Sequence, residues 1–365
     1  MRETEAVGEA RRQMAVCNAC RYCEGYCAVF PAMALRRDFS AGDLSYLANL
    51  CHGCKGCYHA CQYAPPHAFG VNVPETFARL RQDSYADYAW PQPMGAVFQR
   101  NGTIVSLVAA LSVIVLLLGT MAWKDPAVFY GQHSGPGAFY RIIPWGLMAA
   151  IAGLSFVFAL VAMGVGVAKF WKDTGGGSPA PAPIAEGTID ILTLANLGGG
   201  GHGCNDIGER FSQGKRHLHH ALFYGFGLCF AATSVATIYD HFLGWQAPYG
   251  FWSLPVLLGT LGGIGMVIGA TGLTWMKIVA DPGPIAKSVL GGEYALLMLL
   301  WMVAMTGLVL LGLRHTGAMG VLLVIHLGFV LAFFLVLPYS KMVHGAYRGA
   351  ALIRNAMEKR QAKTA

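Results

Sequence analysis

Charge is scarce in this 365-residue chain: Asp, Glu, Lys and Arg make up 12% of it, against 55% hydrophobic residues. Mean hydropathy is +0.47. An ordinary soluble domain carries about 25% charged residues, so this composition points to a membrane protein. Also lacking, in the opening stretch MRETEAVGEARRQMAV, is an apolar core of signal-peptide length. The segment before the first long apolar run is therefore expected to be made and kept in the cytoplasm. The sequence shows no dinucleotide-binding fingerprint, no nucleophile paired with a base and no set-apart pair of carboxylates. Substrate chemistry is thus expected on another polypeptide. The net charge of +7 is no argument for nucleic acid, because Lys and Arg are dispersed and no nucleic-acid motif accompanies them.

What the sequence does have, after about residue 95, is a series of long uncharged runs. Each can cross a roughly 30 Å hydrocarbon layer with about 20 helical residues. Six are expected: Thr103 to Trp123, Ile142 to Ala168, Ala221 to His241, Trp252 to Met276, Tyr294 to Leu313 and Gly317 to Tyr339. Lys169, Lys172, Lys215, Arg216, Lys277, Lys287 and the basic C-terminal tail from residue 346 fall on one side. Only Lys124, Arg141 and Arg314 fall on the other. The positive-inside rule then places both termini in the cytoplasm. Between spans two and three, residues 171–216 read as a Gly/Pro-rich linker and mobile connector, with four glycines before His202 and Cys204.

Eight of the ten cysteines lie in the first 61 residues, in two clusters that each read C-x2-C-x2-C-x3-C. These are CNACRYCEGYC from Cys17 and CHGCKGCYHAC from Cys51. Such spacing lets three thiolates of one loop grip three irons of a [4Fe-4S] cube, while the fourth crosses to a second cube. The expected ligand sets are Cys17, Cys20, Cys23 with Cys61, and Cys51, Cys54, Cys57 with Cys27. Zinc sites use four ligands, typically from two separated C-x2-C knuckles, and explain the doubled pattern poorly. Pro31 and Pro65 each sit four positions past the last cysteine, whereas proline directly follows it in the usual bacterial ferredoxin. His52, His59 and His67 read as neighbours that tune a cluster, and Cys204 and Cys229 as unligated thiols.

An iron-sulfur domain on apolar helices needs an electron route into the bilayer, and intramembrane histidines are where haem is held. Span six carries His326, with His344 at its end, five helical turns and about 27 Å away along one face. Span three opens with His217, His219 and His220 and closes with His241. Because the two spans run antiparallel, His219 or His220 is expected to meet His344, and His241 to meet His326. That allows one or two b-type haems. His133 and His315 fall in outer loops.

The HLGFVLAFFLVLPYSKMVH stretch is similar to the last span of the nitrate reductase gamma-subunit family of cytochromes b, in which two histidines at this separation ligate different haems. The whole chain resembles the tricarballylate and citrate utilisation protein B family. That resemblance rests on both cysteine clusters, on CQYAPPHAFGVNVPETFARLRQDSYADYAWP and on HLHHALFYGFGLCFAAT within the six-span remainder. It implies a membrane protein that reoxidises the flavin of an FAD-dependent tricarballylate dehydrogenase-like flavoprotein and passes electrons to quinone, in the bacterial inner membrane. The expected fold is mainly α: a two-cluster ferredoxin-like domain over residues 1–95, then a six-helix cytochrome b-like bundle. The spans group as residues 96–170 and 217–345. Alternative readings are a heterodisulfide-reductase-like or glycerol-3-phosphate dehydrogenase-like electron-transfer subunit, or a redox-sensing membrane protein. Neither further cysteine-rich motifs nor a signalling domain is evident to favour them.

Overall fold

The computed structural model describes residues 1–364. Five short helices build the N-terminal domain. Helix α1 (Glu5–Cys20) starts where Thr4 accepts a hydrogen bond from the Val7 N–H, and stops at Arg21, whose left-handed backbone (φ 55°) returns its N–H to Cys17. Helix α2 (Val29–Ala34) follows the first cysteine loop. Helix α3 (Ala41–Leu50) begins with a reciprocal cap between Ser40 and Asp43. A single turn, α4 (Gly56–His59), carries Cys57, and α5 (Val73–Tyr88) is capped by Asn72 with Pro74 in its first turn. Val7, Ala10 and Met14, spaced on one face of α1, are fully buried beside Tyr46, Leu47 and Phe77.

Among the described residues, six helices are long and apolar enough to cross a membrane. They are α6 (Asn101–Trp123), preceded by a 3-10 segment over Gln92–Arg100, then, after the one-turn α7 (Pro126–Phe129) and α8 (Ala138–Ile142), α9 (Trp145–Asp173). Helix α10 (Pro181–Leu192) comes next, followed by α11 (Gly214–Leu243), α12 (Leu254–Val279), α13 (Lys287–Leu313) and α14 (Met319–Val336). Half of the twelve ends run beyond the apolar cores expected from sequence, because polar flanks such as residues 214–220 and 287–293 continue the helix. Helices α11 and α12 touch backbone to backbone. A Cβ on Gly225 would fall 2.7 Å from the Gly262 oxygen, and one on Gly269 2.6 Å from the Leu222 nitrogen. Small residues permit this approach, which substitutes dispersion for the hydrophobic effect that lipid cannot supply.

Three stretches differ from the sequence reading. The linker between spans two and three contains α10, whose Gly187 packs against Ile353 of the C-terminal helix. The last span does not run on to His344: α14 ends at Val336, and 3-10 turns over Leu337–Tyr339 and Lys341–Val343 flank an extended Ser340. Pro338 lacks the N–H an α-helix would use there, and the Ser340 hydroxyl caps Met342 instead. Finally, the basic tail is a helix, α15 (His344–Thr364), which places Tyr347, Ala351 and Leu352 in the core of the N-terminal domain. Tyr347 stacks on Tyr85 at 5.0 Å with 12° between planes. Glu358 accepts from Arg36, Tyr46 and Arg354, which ties the C-terminus to α3.

Candidate functional site

The two cysteine loops face each other. Cys17 and Cys20 end α1, Cys27 precedes α2, Cys51 caps α3 and Cys57 rides on α4. Cys17, Cys20, Cys23, Cys57 and Cys61 line one cavity of about 350 Å³. Burial, followed by the nearby Cys23, Cys61 and Cys20, pushes the Cys17 thiol up to about 12. Burial, then Cys61, Cys20 and Cys54, pushes Cys23 up to about 12. Cys27 is raised by burial and by Cys54 and Cys51, which belong to the other loop. Burial also raises Cys57, with Cys54 and Cys27 as its nearest charged neighbours. Cys61 thus shares a cavity with the first trio, Cys57 borders the same cavity, and Cys27 neighbours Cys51 and Cys54 of the second loop. Thiols crowded this way stay protonated near neutral pH, and a cationic centre is what would let them all ligate as thiolates. The donor set therefore fits an iron-bearing group. Among the described residues, no three His, Cys, Asp or Glu side chains are set to hold a single metal ion.

The glycine-rich connector is part of this site. Gly199 (φ 49°) and Gly200 (φ 69°) turn the chain over the first cysteine loop, where a Cβ on Gly200 would lie 2.7 Å from the Gly25 oxygen. Cys204 is fully buried and pairs with Ser212 through both backbone groups, and the Asn205 N–H donates to the Cys54 carbonyl at 2.8 Å. The Cys204 S–H donates to the Leu197 carbonyl at 3.2 Å, and its sulfur, beside Cys54, lowers the Cys54 thiol while Cys204 itself is raised. Lys215 donates to the Gly53 carbonyl at 2.8 Å, while Arg348 (2.8 Å) and Arg81 (3.4 Å) donate to the Cys51 carbonyl. Cations gathered on the second cysteine loop offset the negative charge of thiolates there. Sequence spacing gave no hint of these partners, since each comes from more than 25 residues away.

Of the membrane histidines, His219 and His344 are brought together, with ring centroids 6.3 Å apart. Two imidazoles on opposite sides of one iron, each with a bond of about 2 Å and about 1 Å from nitrogen to ring centre, stand about 6 Å apart. His344 Nδ1 contacts the Lys341 carbonyl at 2.5 Å. As donor there, it leaves Nε2 free to ligate. His219 Nδ1 is buried without a partner. Burial, with Arg348, Lys341 and His219 nearby, lowers His344 well below the usual histidine value, so the ring is a neutral ligand. These two residues fit a haem.

His220 points elsewhere, bonding the Thr193 carbonyl at 3.1 Å. His241 is exposed and stacks on Trp145 at 5.7 Å, while His326 meets the Thr306 hydroxyl at 3.1 Å. The outer pair is therefore not brought face to face. His52, by contrast, stands between the two halves of the site: it follows Cys51, bonds the Leu50 carbonyl at 2.8 Å, and feels the charges of Arg348, Lys215 and His219. Adjacency to Cys51 was the only sequence signal for it.

Comparison with known proteins bears on the whole chain. The Citrate utilization protein B Fer4-like domain matches residues 10–87, and the Citrate utilization protein B family matches residues 97–365. Citrate utilization protein B of Escherichia coli is 47% identical over 365 residues, covering 99% of this chain and 95% of the relative. No solved structure matches.

Proposed function

The chain belongs to the Citrate utilization protein B family, and we propose that it is a membrane electron-transfer protein in the utilisation of tricarballylate or a citrate-like acid. It reoxidises the reduced flavin of a partner FAD-dependent dehydrogenase and delivers the electrons to the quinone pool. Cys17, Cys20, Cys23 and Cys61 would hold one [4Fe-4S] cluster, and Cys51, Cys54, Cys57 and Cys27 a second. His219 and His344 would hold a b-type haem. Bound there, these groups supply one-electron transfer, which splits the two-electron donation of a flavin into single steps.

The chain's own residues prepare that chemistry. Lys215, Arg81 and Arg348 fix the carbonyls of the second cysteine loop. The Lys341 carbonyl orients the His344 ring. Arg348 lies one turn beyond His344 on α15 and reaches Cys51, so a single helix turn joins the cysteine loop to the histidine pair. The working division is residues 1–95 for the clusters, 96–170 for two spans, 171–216 for a connector over the cysteine loops, 217–345 for the haem-bearing spans and 346–365 for a basic segment. The protein would lie in the bacterial inner membrane with both termini in the cytoplasm.

The observation that carries this reading is the approach of His219 to His344 directly behind the second cysteine loop. Optical and electron paramagnetic resonance spectra of the His344→Ala, His219→Ala and His220→Ala proteins test it. The first two should lose the low-spin haem signal and the third should keep it. A haem spectrum indifferent to both His219 and His344 would remove the route.

A further inference from the structure

We propose that a cavity of about 720 Å³ between α5, the Gln92–Arg100 segment, α6 and α13 binds the ring of the quinone that accepts the electrons. The proposal rests on the reading of quinone as acceptor and assigns it a place. The cavity lies where the spans begin: its walls include Asn101, Gly102 and Ser106 at the start of α6, and Glu293, Tyr294 and Met298 in the first turns of α13. It joins a polar end, with Arg81, Arg100, Glu293 and Lys341, to an apolar side with Phe98, Ala295 and Met298. An amphipathic molecule with a hydrogen-bonding ring and a lipid-soluble tail matches that division.

Two observations select the ligand. First, Arg81 lines the cavity, is 6% exposed, and its Nε is buried without a partner. A buried guanidinium nitrogen with nothing to donate to is costly, and a quinone carbonyl supplies the missing acceptor. Lys341 is held by Glu293 at 2.7 Å and provides donors at the same end. Second, both residues contact residues of the redox site through backbone carbonyls. Arg81 donates to the Cys51 carbonyl at 3.4 Å, and the Lys341 carbonyl holds His344. An anionic lipid headgroup would meet the same cations, but the Glu293 carboxylate stands among them and repels it, and a lipid has no use for the redox adjacency.

Reduction of one quinone to its quinol takes two electrons and two protons. The electrons come from the reduced flavin of the partner dehydrogenase by way of this chain. Each carbonyl oxygen becomes a hydroxyl, and both protons come from water on the cysteine-domain side, which the polar end of the cavity faces.

The test uses the full chain in phosphatidylcholine nanodiscs with an azido-ubiquinone, followed by peptide mapping and by quinone-dependent reoxidation of the reduced protein. Label should enter residues 98–106 and 288–298 and be displaced by unlabelled quinone. Met298→Trp, which fills the apolar side at an exposed position, and Arg100→Gln, at the polar end, should each raise the KM for quinone about tenfold with unchanged cofactor spectra. Label around His326 instead, or wild-type kinetics in both variants, would overturn the site and leave the acceptor reading standing. Label displaced by phosphatidylglycerol and not by quinone would assign the cavity to lipid. A wild-type protein that quinone cannot reoxidise would sink the acceptor reading and the site with it.

Discussion

Removing the Glu358 carboxylate should release the C-terminal helix from the cysteine domain. The side chain is 16% exposed and accepts from Arg36 at 2.5 Å, Tyr46 at 3.0 Å and Arg354 at 3.1 Å. Both guanidiniums also lie over the Tyr46 ring, at 4.9 and 4.7 Å. Breaking a buried pair by deleting one partner costs about 3–5 kcal/mol, because the other charge is left uncompensated. Asp43 remains on Arg36 at 2.7 Å, and the site is not fully dry. These facts put Glu358→Ala at the low end, about 3 kcal/mol. Since each 1.4 kcal/mol is a factor of ten, amides of α15 that exchange through detachment of the helix should lose about a hundredfold of their protection. Hydrogen exchange read by mass spectrometry on residues 346–360 measures this directly. Glu186→Ala removes the exposed pair with Arg360 (3.2 Å) and is the matched control, with an expected loss under about 1 kcal/mol. Protection within a fewfold of wild type in Glu358→Ala would refute the assignment of this carboxylate as the anchor of α15.

Three further outcomes follow from the site. Gly200→Val forces a branched side chain into a left-handed backbone and against the Gly25 oxygen, costing at least about 2 kcal/mol; it should lower the iron bound per chain and open residues 193–215 to protease. Cys204→Ser keeps a hydrogen-bonding group beside Cys54 and should leave iron and sulfide content unchanged, whereas loss of half the iron would make Cys204 a ligand. For Asp43, burial works to raise the pKa, but hydrogen bonds from Ser40 and Arg36 outweigh it and hold the group below its ordinary 3.8. Its contribution to stability is therefore present above that value and is lost as pH falls through the lower folded value. Asp43→Asn should flatten this acid limb of the thermal-stability profile, and an unchanged limb would contradict the assignment.

The parts of this molecule that are local in sequence were legible there. The cysteine spacing states which thiols share a loop, and uncharged runs of membrane length state the spans. The spacing also led to the expectation that Cys27 and Cys61 cross between loops, and Cys61 lines the same cavity as Cys17, Cys20 and Cys23. What sequence could not resolve depends on rotation and on distant contacts. His219 and His220 are adjacent, and only the roll of α11 against α15 turns one to His344 and the other to Thr193. The connector looks mobile by composition, because glycine and proline are what exposed segments use, and the basic tail carries no local signal of its partners. Their order comes from partners far along the chain: Cys54 and Gly25 for the connector, Arg36 and Tyr85 for the tail. The outer histidines illustrate the opposite error, since a plausible antiparallel register does not bring His241 to His326.

In the proposed function, one polypeptide carries electrons from a flavoprotein to quinone through its own iron-sulfur and haem groups. The most direct measurement is a single anaerobic sample of the purified chain in lipid, reduced by a tricarballylate dehydrogenase-like flavoprotein with its substrate and then mixed with quinone. The account predicts that [4Fe-4S] resonance signals and a reduced b-type haem band both appear on adding the donor and both vanish as quinol forms. Quinol formation at the same rate without this chain, or a chain that binds clusters but no haem, would contradict it.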